Sequence, residues 1–357
     1  MTEAAEPDLS GIVTMLLKAA DEGATAGHPL PVELVISQIL GALRFQIPPE
    51  GSDEFVAEFS SDLRQLVRDE AGHGPAVATI IERMLPPVSA AAAGPRLVST
   101  DITGDEWSDR RAVLLRGGHC QDVFGDQTNH ILSFGYASSE GIVGHHTVVA
   151  MSDHNIHALK DAFPAVSPEA FDEIMAQLAE TSGLVLSEFD PTTAATDLWW
   201  HIELTEAIHG ANNVVNEFTV ETWHLLKYRL RECLPAPTSP ESPQVRWPPE
   251  ERKKVCDSFL RSASARELLS QRGAPFRAEL REIISILVDF TCDDGHGTPL
   301  SWSPIAVEIF LVNEADHVGV ARDLIDSVLP VFVDWSLKRA GVARQFRREA
   351  VLATRMW

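Results

Sequence analysis

The chain has 357 residues, 45% of them hydrophobic and 23% charged, which is the composition of an ordinary soluble globular protein. No window approaches the ~18 consecutive apolar residues of a membrane helix, and the acidic start, MTEAAEPDLSG, lacks the basic and apolar segments of a signal peptide. The net charge of -23 opposes binding to nucleic acid and to anionic membranes.

The net negative charge of the chain comes from its first two thirds. From Arg246 to the C-terminus sixteen basic residues balance sixteen acidic ones, so residues 1–245 carry the whole net charge. This acidic body predicts a protein partner with a basic surface, or a docking surface for the basic tail at 338–357. Four cysteines stand far apart with no CxxC pair, which predicts reduced thiols in a cytoplasmic protein (Cys120, Cys233, Cys256 and Cys292).

Residues 1–88 predict an all-helical N-terminal section. Apolar residues recur at three-to-four spacing over 8–46, with a break around Gly27 and Pro29, and again over 52–69 and 75–85. The run SAAAAGP that follows reads as a linker.

Residues 95–235 predict an α+β domain, because the hydrophobic period shortens there. Short apolar or alternating runs indicate strands, and Gly-Asp pairs between them indicate turns (runs at 97–98, 111–115, 131–134 and 147–151; turns at Gly104–Asp105 and Gly125–Asp126). Helices are predicted at 168–182 and over 197–232, with a break near Gly210–Asn213. The domain is therefore expected to hold a small, mostly antiparallel sheet with helices.

The last third of the chain begins with a proline-rich linker at 236–249 and continues as a C-terminal helical bundle at 250–357. Helical patterns run over 250–271, 275–292, 303–315 and 320–340. The basic tail beyond them is either a last helix bound to the acidic body or a free peptide offered to a partner. The predicted fold class is thus α+β, with helical sections on both sides of a central sheet.

The densest group of chemically active side chains lies in GHHTVVAMSDHNIHALKDAF, residues 144–163, which holds four histidines and two aspartates. On an extended strand, His146, Val148 and Ala150 share one face. A metal site would use His146 or His145 with Asp153 and His154, and a more distant ligand such as Asp126, His130 or His119; such a set suits zinc or iron. The predicted ligand site is built from residues in and near this segment (Asp126, His146, Asp153, His154, Asn155 and Asp161).

Two other interpretations of this segment stay open at this point. In the first, an aspartate, Asp153 or Asp161, orients His154 as a general base without a metal. In the second, Asp153, His154 and Asn155 satisfy backbone groups in a turn and have no chemical role.

Weaker signals elsewhere do not add a site. Glu206-Ala-Ile-His209 and Glu221-Thr-Trp-His224 have the spacing of di-iron ligands, but the surroundings lack the further core glutamates that such a centre needs. Gly117-Gly118 is not followed by a phosphate-binding pattern, which disfavours a nucleotide-binding fold.

Five stretches of the chain together resemble an uncharacterised family of actinobacterial cytoplasmic proteins: DVFGDQTNHILSFGYA, HHTVVAMSDHNIHALKDAF, ETWHLLKYRLRECLP, TPLSWSPIAVEIFL and VLPVFVDWSLKRAG. The resemblance spans about 30–340. It implies a pattern carried here by Gly125, Asp126, His146, Asp153, His154, Asn155, Lys160 and Asp161. His157-Ala158 stand where the family pattern has a small, glycine-rich turn, which puts a tight backbone approach there in doubt. The family implies no activity.

The sequence thus predicts a soluble interaction or regulatory protein, since no catalytic set is complete. The alternative is a metal-dependent hydrolase that uses the cluster at 145–161. That alternative requires the ligands to converge in space, which only the fold can decide.

Overall fold

The computed structural model describes residues 9–46, 49–85, 106–208, 215–235, 247–273, 275–293, 297–315, 317 and 319–356. It confirms the α+β class, with helices on both sides of a central sheet. Several predicted features lie outside the described residues: the linker at 89–95, the strand candidate at 97–98, most of the proline-rich linker, the turn at Gly104–Asp105 and the break near Gly210–Asn213. None of the described helices combines the length and the apolar character needed to cross a membrane.

The N-terminal section folds into four helices whose bounds match the predicted segments: α1 (Leu9–Ala26), α2 (Leu30–Gln46), α3 (Pro49–Arg68) and α4 (Gly74–Met84). The predicted break between α1 and α2 falls at Gly27, whose φ of +74° suits glycine. In addition, α2 packs against α7 (Glu217–Cys233) of the central part. Their contact is close at Gly41, where a Cβ would lie 1.9 Å from the Val220 carbonyl oxygen.

The sheet has five strands: β1 (Ala112–Asp122), β2 (Gln127–Ser138), β3 (Gly141–Asp153), β4 (Ala158–Ala165) and β5 (Leu184–Ser187). They are antiparallel and lie in the order β4-β3-β2-β1-β5. The runs predicted at 111–115, 131–134 and 147–151 fall on β1, β2 and β3, which are longer, whereas β4 and β5 were not predicted.

Helices cover both faces of the sheet. The inner face packs against α6 (Pro191–Ile208) and α7 through a core that includes Phe134, Val148 and Ala150. The outer face packs against α5 (Ala170–Glu180) through a smaller core. His146 contacts α7, so it shares the inner face with Val148 and Ala150, as strand alternation predicted.

The free edge of β4 is covered by threonines from the two inner helices. The Leu159 N–H donates to Thr205 Oγ1 of α6 at 2.8 Å, and the Ala162 N–H donates to Thr219 Oγ1 of α7 at 2.9 Å. These hydrogen bonds occupy edge N–H groups that another strand would otherwise pair with.

The C-terminal bundle consists of α8 (Pro249–Leu260), α9 (Ala263–Arg272), α10 (Phe276–Asp293), α11 (Pro304–Ile309), a π-helical turn (Phe310–Glu314), α12 (Arg322–Arg339) and α13 (Arg344–Ala353). The basic tail forms α13, where Arg347 pairs with Asp334 of α12 at 3.0 Å and Ala350 is buried. The Phe346 ring packs edge-on against Phe124 of the β1–β2 turn, with centroids 6.3 Å apart. The tail is therefore a last helix bound to the rest of the chain.

Candidate metal centre

Helix α6 presents two potential ligands to the inner face of the sheet. It begins at Pro191, and the Asp190 carboxylate before it accepts the Thr193 N–H at 2.8 Å, which caps the first turn. Asp197 and His201 are four residues apart, so they lie on one side of the helix. Both are buried beneath the sheet.

The turn between β3 and β4 carries the third potential ligand, His154. The Asp153 carboxylate accepts the Asn155 N–H at 3.0 Å, and the His154 N–H donates to the Asp126 carbonyl at 2.8 Å. The His154 Nε2 atom lies 2.9 Å from Thr128 Oγ1 of β2. These contacts hold the His154 ring against the end of the inner face.

His154, Asp197 and His201 converge on one point. Each offers one ligand atom, and these atoms all lie within 4.8 Å of one another. The His154 and His201 rings meet edge-on, with centroids 4.9 Å apart. Asp197 and His201 are 7% and 1% exposed, whereas His154 is half-buried. The group therefore combines two imidazoles with one carboxylate in a largely buried position.

The Asp197 carboxylate is ionised. Burial opposes its charge, but hydrogen bonds from His130 and His201 outweigh that effect and hold its pKa well below the ordinary value. Its Oδ2 atom accepts from His130 Nε2 and from Ser152 Oγ, each at 2.8 Å. In the part of the chain that the structure describes, no lysine or arginine pairs with this carboxylate. A buried negative charge thus has hydrogen bonds but no fixed cation.

One ring nitrogen of His201 is buried and has no hydrogen-bond partner in the part of the chain that the structure describes. Its Nδ1 lies 2.8 Å from the main-chain carbonyl oxygen of Asp197, so Nδ1 carries the proton and Nε2 carries the lone pair. The Nε2 atom is buried and has no hydrogen-bond partner among the described residues. A buried acceptor without a partner is costly, and a bound metal ion would remove that cost.

His146 does not join His154. It lies seven residues before Asp153 in the same strand, which corresponds to ~23 Å of extended chain. Both of its ring nitrogens are engaged, since Nδ1 lies 2.8 Å from the Gly144 carbonyl oxygen and Nε2 accepts from Arg229 Nε at 3.0 Å. The structure therefore does not bring together the predicted metal set of His146, Asp153 and His154.

Asp153 serves the turn rather than the converging group. Besides its hydrogen bond to the Asn155 N–H, its carboxylate lies 3.3 Å from Gln127 Nε2 and 3.4 Å from Lys160 Nζ. This arrangement corresponds to the interpretation of the segment as a turn, although a strand and not a helix follows it.

The remaining predicted ligand residues divide between the turn and α7. Asp126 and Asn155 flank His154, the first through its carbonyl oxygen and the second through the bond to Asp153. Asp161 instead accepts from Asn216 Nδ2 at 2.9 Å, just before α7 begins. Of the six predicted residues, only His154 belongs to the converging group.

A second buried polar group lies at the other end of the inner face, around Arg229 of α7. Arg229 Nη2 donates to Glu33 Oε2 and to Tyr136 Oη, each at 2.5 Å, and the Tyr136 hydroxyl donates to Glu33. Burial and the adjacent Arg229 hold the pKa of His146 well below its ordinary value, so His146 is neutral. We call these four residues, Glu33, Tyr136, His146 and Arg229, the Arg229 network.

Sequence reasoning missed Asp197 and His201. The available signal was an Asp-x-x-x-His spacing on a helix, which places two ligand types on one side. The two Glu-x-x-His motifs supply no member of the converging group. Glu206 instead accepts hydrogen bonds from Trp223 and Lys227, and His209 lies outside the described residues.

No protein-family model matches the chain, and neither a curated protein nor a solved structure matches it. The resemblance to the actinobacterial family therefore stays a prediction, as do the cytoplasmic location and the basic protein partner. What the protein does has to be inferred from the geometry of the converging group.

Proposed function

We propose that this protein binds a divalent transition-metal ion, zinc or iron(II), through His154, Asp197 and His201. The observation that carries the proposal is the convergence of these three ligand atoms within 4.8 Å of one another. One feature of the group supports it: the ionised Asp197 carboxylate has imidazole and hydroxyl partners but no lysine or arginine partner among the described residues. A divalent cation would neutralise that buried charge.

The chemistry and spacing of the group suit these metals. Zinc binds imidazole nitrogen and carboxylate oxygen at about 2.0–2.2 Å, so ligands around one ion lie about 3–4 Å apart. Two histidines and one carboxylate also form the set that holds iron(II) in non-haem enzymes.

Three protein ligands leave a coordination position for another molecule. A metal held in this way lowers the pKa of a bound water, which is the basis of metal-dependent hydrolysis. We therefore propose that the protein is a metal-dependent hydrolase. Its ligands would be His154 and two residues of α6, instead of the set predicted within residues 145–161. The interaction-protein hypothesis stays a prediction, because no surface of the described residues identifies a partner.

The metal content of untagged protein tests the proposal. Wild-type protein should hold near-stoichiometric zinc or iron by plasma mass spectrometry, and His201→Ala and Asp197→Asn should lose it. His317→Ala, which changes an exposed histidine of the C-terminal part, is the matched control and should keep it. Zinc at a hundred times its Kd should raise the free energy of unfolding of the metal-free wild type by about 2.7 kcal/mol.

A metal-free wild type that neither takes up zinc nor changes its thermal unfolding on zinc addition would contradict the proposal. Circular dichroism of each variant separates loss of metal from loss of folding. Hydrolysis of activated carboxyl and phosphate esters then tests the reaction. That activity should depend on the metal and disappear in His201→Ala.

A further inference from the structure

We infer that His130 is a positioning residue of this metal site, which holds Asp197 so that one chosen carboxylate oxygen meets the metal. This inference rests on the proposed function. His130 lies on β2, faces α6 from the inner side of the sheet and is fully buried.

Two strands fix the same oxygen of Asp197. His130 Nε2 from β2 and Ser152 Oγ from β3 both lie 2.8 Å from Asp197 Oδ2. A carboxylate oxygen only accepts hydrogen bonds, so His130 donates from Nε2 and Ser152 donates from its hydroxyl. Oδ2 thus accepts two hydrogen bonds, whereas Oδ1 has one longer contact, with His201 Nδ1 at 3.3 Å, so Oδ1 is the oxygen with acceptor capacity left for the metal and Asp197 would bind through it.

The geometry separates His130 from the ligands themselves. Its Nε2 is committed to Asp197, and it is not a member of the group whose ligand atoms converge. Its ring lies beside that of His119 on β1, with centroids 5.4 Å apart, and His119 Nδ1 lies 2.5 Å from Ser187 Oγ of β5. The hydrogen bond to Asp197 and the packing against His119 thus position the His130 ring, as expected of a residue that orients a metal ligand.

Cobalt(II) as the probe metal tests this role, because its visible absorption reports the number and type of ligands. The variants are His130→Leu, which removes the donor, and His130→Gln, which keeps an N–H near the position of Nε2. His130→Leu should weaken cobalt binding about 10- to 100-fold and change the spectrum, because Asp197 Oδ2 then keeps only the hydrogen bond from Ser152 and can also reach the metal. His130→Gln should keep the wild-type spectrum and most of the affinity.

Ser152→Ala removes the second hydrogen bond to Oδ2 without touching His130, so it keeps the test valid if His130→Leu does not fold. It should weaken cobalt binding in the same direction but less. Identical spectral changes in His130→Gln and His130→Leu would overturn the inference, because they would make His130 a ligand. Wild-type affinity and spectrum in both His130→Leu and Ser152→Ala would also overturn it. Absence of cobalt bands in wild-type protein would instead refute the metal site itself.

Discussion

Two buried polar groups share the inner face of the sheet, and they differ in how their charge is balanced. We call His130, Ser152, His154, Asp197 and His201 the Asp197 cluster. In the Arg229 network, the Glu33 carboxylate meets a guanidinium. In the Asp197 cluster, the partners of the carboxylate among the described residues are imidazoles and a hydroxyl. His130 and Tyr136 lie on the same strand, so the two groups are ~20 Å apart along β2.

The contrast is sharpest between two histidines. His146 and His201 each have Nδ1 at 2.8 Å from a main-chain carbonyl oxygen, so each directs an Nε2 lone pair into the interior. Arg229 donates a hydrogen bond to Nε2 of His146, whereas Nε2 of His201 has no hydrogen-bond partner in the part of the chain that the structure describes. Burial alone therefore does not distinguish a structural group from a candidate site. What distinguishes them is whether the protein supplies the positive partner itself.

The largest expected loss of stability comes from a substitution in the Arg229 network. Arg229→Met should lower the free energy of unfolding by about 3–5 kcal/mol, because the Glu33 charge stays buried without its partner. Urea unfolding measures the loss, and adding Glu33→Leu should recover much of it. Arg116→Met, which removes an exposed pair with Asp172, is the control and should change stability little. Equal losses in Arg229→Met and Arg116→Met would mean that charge pairing does not hold the network together.

The next largest expected effect is a dependence of stability on pH, caused by His146. Because the pKa of His146 is lowered in the folded state, the unfolded chain takes up a proton near pH 6.5 that the folded chain does not. The free energy of unfolding should therefore fall as pH drops below about 6.5, by about 1.4 kcal/mol per pH unit for this histidine. The loss continues until the pH reaches the lowered pKa of His146.

His146→Gln isolates this contribution, since the amide oxygen still accepts from Arg229 but does not titrate. Its stability curve between about pH 6 and pH 5 should be shallower than that of the wild type by the slope of one proton. Burial lowers the pKa of His224 as well, so His224 adds the same pH dependence to the stability of the wild type and of His146→Gln. Parallel curves would show that folded His146 is already protonated there, contrary to its role as an acceptor.

The smallest effect is in the turn that carries His154. His157 has a φ of +52° and is the one non-glycine residue with positive φ in the described ranges. His157→Gly should have a free energy of unfolding about 1 kcal/mol higher than His157→Ala, because both variants lose the imidazole and only glycine adopts this backbone without strain. The metal content should not change, because the turn keeps its shape. His145→Gly, on the preceding strand, is the control and should be less stable than His145→Ala; equal stabilities of His157→Gly and His157→Ala would exclude strain at His157.

Local periodicity predicted much of the fold. The spacing of apolar residues gave the N-terminal helices nearly to the residue, and the Gly27–Pro29 break ends one helix and begins the next. The short strands β4 and β5 were missed for a physical reason. β4 follows β3 through a turn built by Asp153 rather than by glycine, and β5 has only four residues.

The candidate site was predicted less completely. The dense segment at 144–163 did contain one ligand, His154, and strand alternation correctly placed His146 on the inner face. Position along the strand then separated His146 from His154, and the helix packed beside His154 supplied Asp197 and His201. Which helix packs there depends on tertiary contacts between residues more than forty positions apart, and these leave no periodic pattern in the sequence.

One stripe of α6 joins the candidate site to the sheet edge. His201 Nδ1 bonds the Asp197 carbonyl, Thr205 Oγ1 donates to the His201 carbonyl at 2.6 Å, and Thr205 accepts the Leu159 N–H of β4. A rotation of this helix that removed Asp197 and His201 from the sheet would also uncover an N–H of the edge strand. Selection for a protein that does not pair its sheet edges with those of its neighbours would therefore also preserve the geometry of the metal ligands.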